Sequence, residues 1–183
     1  MNKLYLLFFT ALTFLISGCT KQTALANFNY NNFYGNSLQY TFKNDIVTNN
    51  DVTAMLNATY LNSVDKNLHS GITEVFLVGI FIENDIKNEN KTFEKEYTLT
   101  LNNNKPVSIK ELNENDKMYA KMPLFNPWAK YFIVEFSKES LNKDFLKKLT
   151  KKEKYVKFEY QKIKLKLSKN KDEFTELEFQ KEI

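Results

Sequence analysis

Ile72–Asn84 reads ITEVFLVGIFIEN, and between Val75 and Ile82 it is apolar on both parities. A strand with one face in water alternates apolar and polar residues, whereas a strand covered on both faces does not. Such a run belongs in the middle of a sheet, buried on both faces. That assignment makes the domain a layered β structure, and the flanking stretches fill in the layers.

Upstream, Leu38, Tyr40 and Phe42 alternate with polar residues, which predicts a half-buried strand. Asn49–Asp51 is a turn, and in the VTAMLNATYLN that follows Val52, Ala54, Leu56, Ala58 and Tyr60 share one face; β-branched and aromatic residues and the bounding asparagines favour a second strand, with a helix as the alternative. Downstream, KTFEKEYTLTLNNNKPVSIKEL supplies Phe93, Tyr97, Leu99 and Leu101, then a turn at Asn102–Pro106 and a short strand from Val107 to Leu112. AKYFIVEF, Ala129–Phe136, reads as another central strand. Only Leu141, Phe145 and Leu149, widened by Leu146, recur at helical spacing, which predicts one short helix near residues 140–151.

The C-terminal stretch YVKFEYQKIKLKLSK changes parity. Val156, Phe158 and Tyr160 share one face and Ile163, Leu165 and Leu167 the other, as an extra residue at Gln161–Lys162 would produce, so a β-bulge is expected there. A turn at Asn170–Asp172 and the alternating FTELEF complete a hairpin. Eight or nine strands, one late helix and no βα alternation make the fold class mainly β, an antiparallel two-sheet β-sandwich.

All 26 basic residues are lysine, against 22 acidic ones. Arginine dominates bidentate phosphate recognition and base reading, so a nucleic-acid partner is disfavoured. The densest lysine run, Lys147–Lys171, reads either as a surface for anionic headgroups or as the solvated face of a strand. No residue pattern points to a cofactor. The sole histidine, His69, stands beside Ser70 without a nucleophile-elbow motif, and with one His and one Cys a zinc site has too few ligands. Same-face carboxylates, Glu83 with Asp85 or Glu94 with Glu96, could serve paired acid and base roles, but such pairs more often face solvent beside lysines.

The most informative residue for location is Cys19, the only cysteine. It ends the stretch FLISGC, behind an opening Met-Asn-Lys and the apolar run LYLLFFTALTFLIS, which has the anatomy of a signal peptide and is short of the roughly 20 apolar residues of a membrane span. Ile16, Ser17 and Gly18 leading into Cys19 resemble the lipobox of bacterial lipoproteins. The resemblance implies diacylglycerol transfer to the Cys19 thiol, cleavage before it, and attachment to a membrane of the bacterial cell envelope. In that family an aspartate after the cysteine favours the inner membrane, and Thr20 in its place points to the outer membrane.

The chain is accordingly divided into a cleaved signal peptide (1–18), a lipidated tether (19–36) and a β-sandwich domain (37–183). The strand count and the segment MPLFNPWAKYFIVEF, with AKYFIVEF read as strand F, also look like the immunoglobulin-like domains of bacterial surface lipoproteins, as a variant without the cysteine pair of antibody-type domains; a half-open barrel is the alternative. The tryptophan sits in PLFNPW, where prolines stiffen a loop carrying Leu124, Phe125 and Trp128. These three are the candidate partner-binding residues; the alternative is that Trp128 caps the sandwich core. Anchor, scaffold and loop together imply a non-enzymatic protein-binding or assembly module whose partners are the membrane and another envelope protein. A surface adhesin for host molecules or glycans is the alternative, and an enzyme ranks third.

Overall fold

The computed structural model describes residues 32–65, 71–83, 93–141 and 160–182. In chain order these form α1 (Asn32–Gln39), β1 (Thr41–Thr48), β2 (Asp51–Tyr60), a four-residue helix α2 (Leu61–Val64), β3 (Thr73–Ile82), β4 (Thr98–Leu101), β5 (Ser108–Leu112), β6 (Lys130–Ser137), β7 (Tyr160–Ser168) and β8 (Phe174–Glu182). Single 3-10 turns occupy Phe93–Lys95 and Tyr119–Lys121. The strands make two antiparallel sheets, one of five in the order β1-β2-β3-β6-β5 and one of three in the order β4-β7-β8.

Period-2 alternation decides what each strand contributes. In β2, β3 and β6 the even-numbered residues, among them Leu56, Phe76, Val78, Ile80, Phe132 and Val134, enter one core with Leu99, Leu101, Ile163, Leu165, Leu167, Leu177 and Phe179 of the smaller sheet. The two sheets therefore face each other across a shared interior. Aromatic rings fill much of it: Phe76 meets Phe136 edge-on at 5.9 Å and Phe179 at 5.2 Å, while Tyr60 stacks on Phe76 at 5.0 Å.

The odd-numbered residues of β3 point the other way, and they too are covered. Val75 and Leu77 join Leu61, Leu112, Met122 and Tyr131 in a second cluster, with Phe33, Met118 and Tyr119 packed against it. Helix α1 and the segment 113–129 thus form a covering layer on the outer face of the larger sheet. This is why ITEVFLVGIFI is apolar on both parities.

Two tight turns rest on asparagine pairs. Asn49 and Asn50 link β1 to β2 with φ of 54° and 69°, and Asn102 and Asn103 repeat the conformation at 49° and 69°. Positive φ at both central residues is the requirement of the type I′ turn, and asparagine tolerates it better than other side-chain-bearing residues.

Three expectations are corrected. Leu38 and Tyr40 do not open a strand: the last residues of the expected tether continue into α1, because Phe33 finds an apolar seat and the buried Thr41 hydroxyl donates to the Ser37 carbonyl at 2.6 Å. The strand therefore begins at Thr41. The bulge expected at Gln161–Lys162 is absent, since β7 and β8 pair in unbroken register from Tyr160↔Glu182 to Ser168↔Phe174. Gln161 itself turns inward beside Ile163, and Tyr160 faces solvent. The irregularity lies instead in the first hairpin, where the pairing passes from Ile46↔Ala54 to Val47↔Val52 and Thr53 is the extra residue. The segment before Thr98 also breaks from the expected strand, Phe93–Lys95 being a 3-10 turn.

The helix expected over 140–151 falls mostly outside the described residues; its first turn, 138–141, is helical, and Leu141 is fully buried.

Candidate functional site

Asn57 on β2 and Gly79 on β3 are register partners, as are Gly79 and Tyr131 on β6. Gly79 leaves its face of the sheet empty, and the Tyr131 ring lies over the vacant position: a Cβ there would stand 2.6 Å from Tyr131 Cε1. An isolated glycine inside a strand commonly marks such a close approach. From this seat the Tyr131 hydroxyl donates to the Asn126 carbonyl at 2.9 Å and accepts from the Asn126 N–H at 2.6 Å. Burial raises the Tyr131 phenol above its ordinary value, so it stays protonated and keeps both bonds at neutral pH.

Asn57 holds the other end of the same loop. Its side-chain amide donates to the carbonyls of Pro123 at 3.0 Å and Leu124 at 3.1 Å. Leu124 adopts a φ of 55°, a conformation costly for a leucine, which these two bonds help to retain. Phe125 then stacks on Tyr131 at 5.3 Å with 16° between planes, and Tyr119 packs edge-on against both rings at 5.5 and 5.3 Å. The Asn126 side chain accepts from the Trp128 N–H at 3.0 Å and closes the turn.

The result is a cleft of about 740 Å³ between this loop and the outer face of β2 and β3. Met55 and Phe81, paired across the two strands, form its floor beside Gly79; Phe125, Pro127 and Trp128 form its wall, and Lys43 is the only charged side chain among the described residues that line it. The expected loop residues come together here and are open to solvent: Leu124 is 51% exposed, Phe125 48% and Trp128 70%. Trp128 therefore does not cap the core. The chemistry on offer is apolar contact, with few polar groups to orient an occupant.

Sequence reasoning found the wall of the cleft and missed the floor. Met55 and Asn57 lie on the face of β2 opposite the apolar one the sequence marked, Gly79 and Phe81 on a strand that read as core on both faces, and the only available signal was a lone glycine inside an apolar strand.

The other candidates stand apart. Cys19, His69, Ser70 and Asp85 lie outside the described residues. Glu94 and Glu96 sit in a turn, not on a strand face. Among the described residues no group of three or more His, Cys, Asp or Glu side chains could hold a metal ion. Of the lysine run, the part in β7 is matched by β8: Lys162 pairs with Glu178 at 2.7 Å, Lys164 with Glu176 at 3.5 Å, and the Lys166 ammonium lies 3.7 Å from the Phe174 ring centroid. Each contact reaches diagonally by two residues in the same sense, so the outer face of the smaller sheet is a ladder of opposite charges. The Lys162 hydrogen bond holds the Glu178 carboxyl below its usual value.

Comparison with protein-family models, with curated proteins and with solved structures finds no match to this chain.

Proposed function

We propose that this chain is a bacterial envelope lipoprotein, anchored through Cys19, whose β domain is a non-enzymatic protein-binding and assembly module. The observation that carries the reading is the cleft, where a stiff loop holds Leu124, Phe125 and Trp128 in solvent above an apolar floor. Large apolar side chains placed in water by specific hydrogen bonds are what a docking site needs, since binding energy concentrates in a few aromatic anchors. The partner is another envelope protein that inserts an apolar side chain between Trp128 and Met55.

The strand order supports the immunoglobulin-like variant. Lettered from β2 onward, the seven strands give A-B-E-D in one sheet and C-F-G in the other, the constant-type arrangement, with β1 added beside A. On this lettering the strand after Trp128 is E rather than F. An exposed tryptophan also suits sugar stacking, which is the adhesin reading, and protease added to intact cells separates the two by the orientation of the domain.

The test is a pair of substitutions in the lipidated chain. Trp128→Ala, being mostly exposed, changes stability by no more than about 0.5 kcal/mol. It abolishes photo-crosslinking from the cleft to one specific envelope protein, identified by mass spectrometry. Unchanged crosslinking with Trp128→Ala and Phe125→Ala combined removes the cleft from the function. A bare Cys19 thiol in the mature protein removes the anchor.

A further inference from the structure

Two acceptors at the β1 side of the cleft have no hydrogen bond among the described residues. One is Oδ1 of Asn57, a residue only 8% exposed, whose amide nitrogen is committed to the loop carbonyls of Pro123 and Leu124. The other is Oδ1 of Asp45, which has only a long ion-pair contact with the Lys43 ammonium, at 3.8 Å. Strand register brings them together. Lys43 pairs with Asn57 and Asp45 with Met55, so these four residues share the outer face of β1 and β2 in two adjacent rows. Lys43, Met55 and Asn57 all line the cleft, and Asp45 is the diagonal neighbour of Asn57, with Cβ atoms roughly 7 Å apart in such an arrangement.

Buried polar groups are paired in nearly all native structures, so exceptions at the edge of a cleft point to what the cleft takes. An acyl chain or an apolar side chain brings no donor for either oxygen. We propose that this end of the cleft is a saccharide site, taking one neutral hexopyranose ring. A sugar ring matches both parts of the lining. Its C–H face lies against Trp128 and Phe125, while its hydroxyls, each a donor and an acceptor, give protons to Asp45 and Asn57 and accept from Lys43. Both oxygens are out of contact with solvent, and the half-exposed Lys43 side chain is the neighbour they share; it turns toward the ligand and admits the hydroxyls. Lys43 disfavours a cation and Asp45 an anion, which leaves a neutral polyhydroxyl compound. The inference deepens the sugar-stacking reading and rests on the cleft, not on the lipid anchor or the protein partner. A bound ring covers the same Trp128 wall as that partner's apolar side chain, so the two exclude each other.

Trp128 is the only tryptophan, so its fluorescence reports this cleft alone. The lipidated chain in phosphatidylcholine vesicles is titrated with maltotriose, cellotriose and chitotriose, and with N-acetylleucine amide as a mimic of an apolar side chain. At least one trisaccharide is expected to shift Trp128 emission saturably. Asp45→Ala is expected to weaken that binding by about tenfold, since a hydrogen bond to a charged group is lost, and to leave the emission of the sugar-free protein unchanged. Asp45→Asn, which keeps an acceptor in place, recovers part of the affinity. A shift with none of the three sugars, or equal affinity in Asp45→Ala, overturns the proposal. A shift with N-acetylleucine amide alone overturns the saccharide and leaves the apolar docking site standing. A sugar that shifts Trp128 without displacing the envelope-protein crosslink supports the saccharide site and removes the protein from the cleft.

Discussion

Gly79 and Tyr131 occupy directly paired positions on adjacent strands, and the tyrosine ring fills the space that a side chain at residue 79 would take. With 2.6 Å between a built Cβ and Tyr131 Cε1, Gly79→Ala forces the ring away from the sheet. Overpacking of this kind costs about 1–3 kcal/mol, more than the small gain alanine brings to a strand interior. The displaced ring also loses its two bonds to Asn126 and its stack on Phe125. We expect chemical unfolding to show that loss, and Trp128 emission in the folded state to shift as the loop turn relaxes.

Asn57 makes a second, independent prediction. Replacement by alanine removes both bonds to the loop carbonyls, at roughly 0.5–1.5 kcal/mol each, partly offset because the unpaired side-chain oxygen of Asn57 goes with them. A net loss of about 1–2 kcal/mol is expected, with faster amide hydrogen exchange confined to residues near 123–129. Exchange that rises throughout β2 and β3 instead would assign Asn57 to the sheet and not to the loop.

The layered architecture was legible because burial on both faces leaves a mark no other strand carries, and Val75–Ile82 bears it. Turns were legible where asparagine pairs demand positive φ, at Asn49–Asn50 and Asn102–Asn103. The α1 segment was not: Leu38, Tyr40 and Phe42 have strand parity, but the Thr41 hydroxyl closes locally on the Ser37 carbonyl and the apolar seat of Phe33 is built from residues distant in sequence, and together they favour a helix. The missed inward turn of Gln161 has the same origin. A polar residue at a core position looks like a change of register until the partner strand is known. The cleft was half legible for a related reason. Exposed aromatics in a proline-stiffened loop announce themselves, whereas Met55 and Phe81 become a floor only when the loop is folded over them.

Glu74 is fully buried, its carboxylate 2.8 Å from the Lys181 ammonium of β8 and accepting the Tyr60 hydroxyl at 2.6 Å. The trio joins the two sheets near the ends of β2, β3 and β8. Removing one member of a buried ion pair strands the other, at about 3–5 kcal/mol, whereas replacing both by apolar residues of similar size is often neutral. Glu74→Gln is therefore expected to lower stability by about 3 kcal/mol, since Lys181 keeps some access to water. Glu74→Leu combined with Lys181→Met is expected to recover most of it. A double variant no more stable than the sum of the singles, in a thermodynamic cycle, would show that the pair is not coupled.

The same trio sets the alkaline limit of the fold. Burial first, and then the Glu74 charge and hydrogen bond, raise the Tyr60 phenol far above its ordinary value of 10.0. An acid whose folded value exceeds its unfolded one binds its proton more tightly when folded, so its stabilising contribution is complete below the unfolded value. It falls as pH rises through the window above 10.0, where only the unfolded chain releases the proton. Tyr131, raised by burial, adds in the same direction. Melting temperature is thus expected to decline steeply once pH passes the ordinary tyrosine value. Tyr60→Phe, which is less stable at neutral pH for want of the bond to Glu74, is expected to show a shallower decline, so that the two melting curves converge with rising pH. Parallel curves would mean that Tyr60 does not govern the alkaline transition.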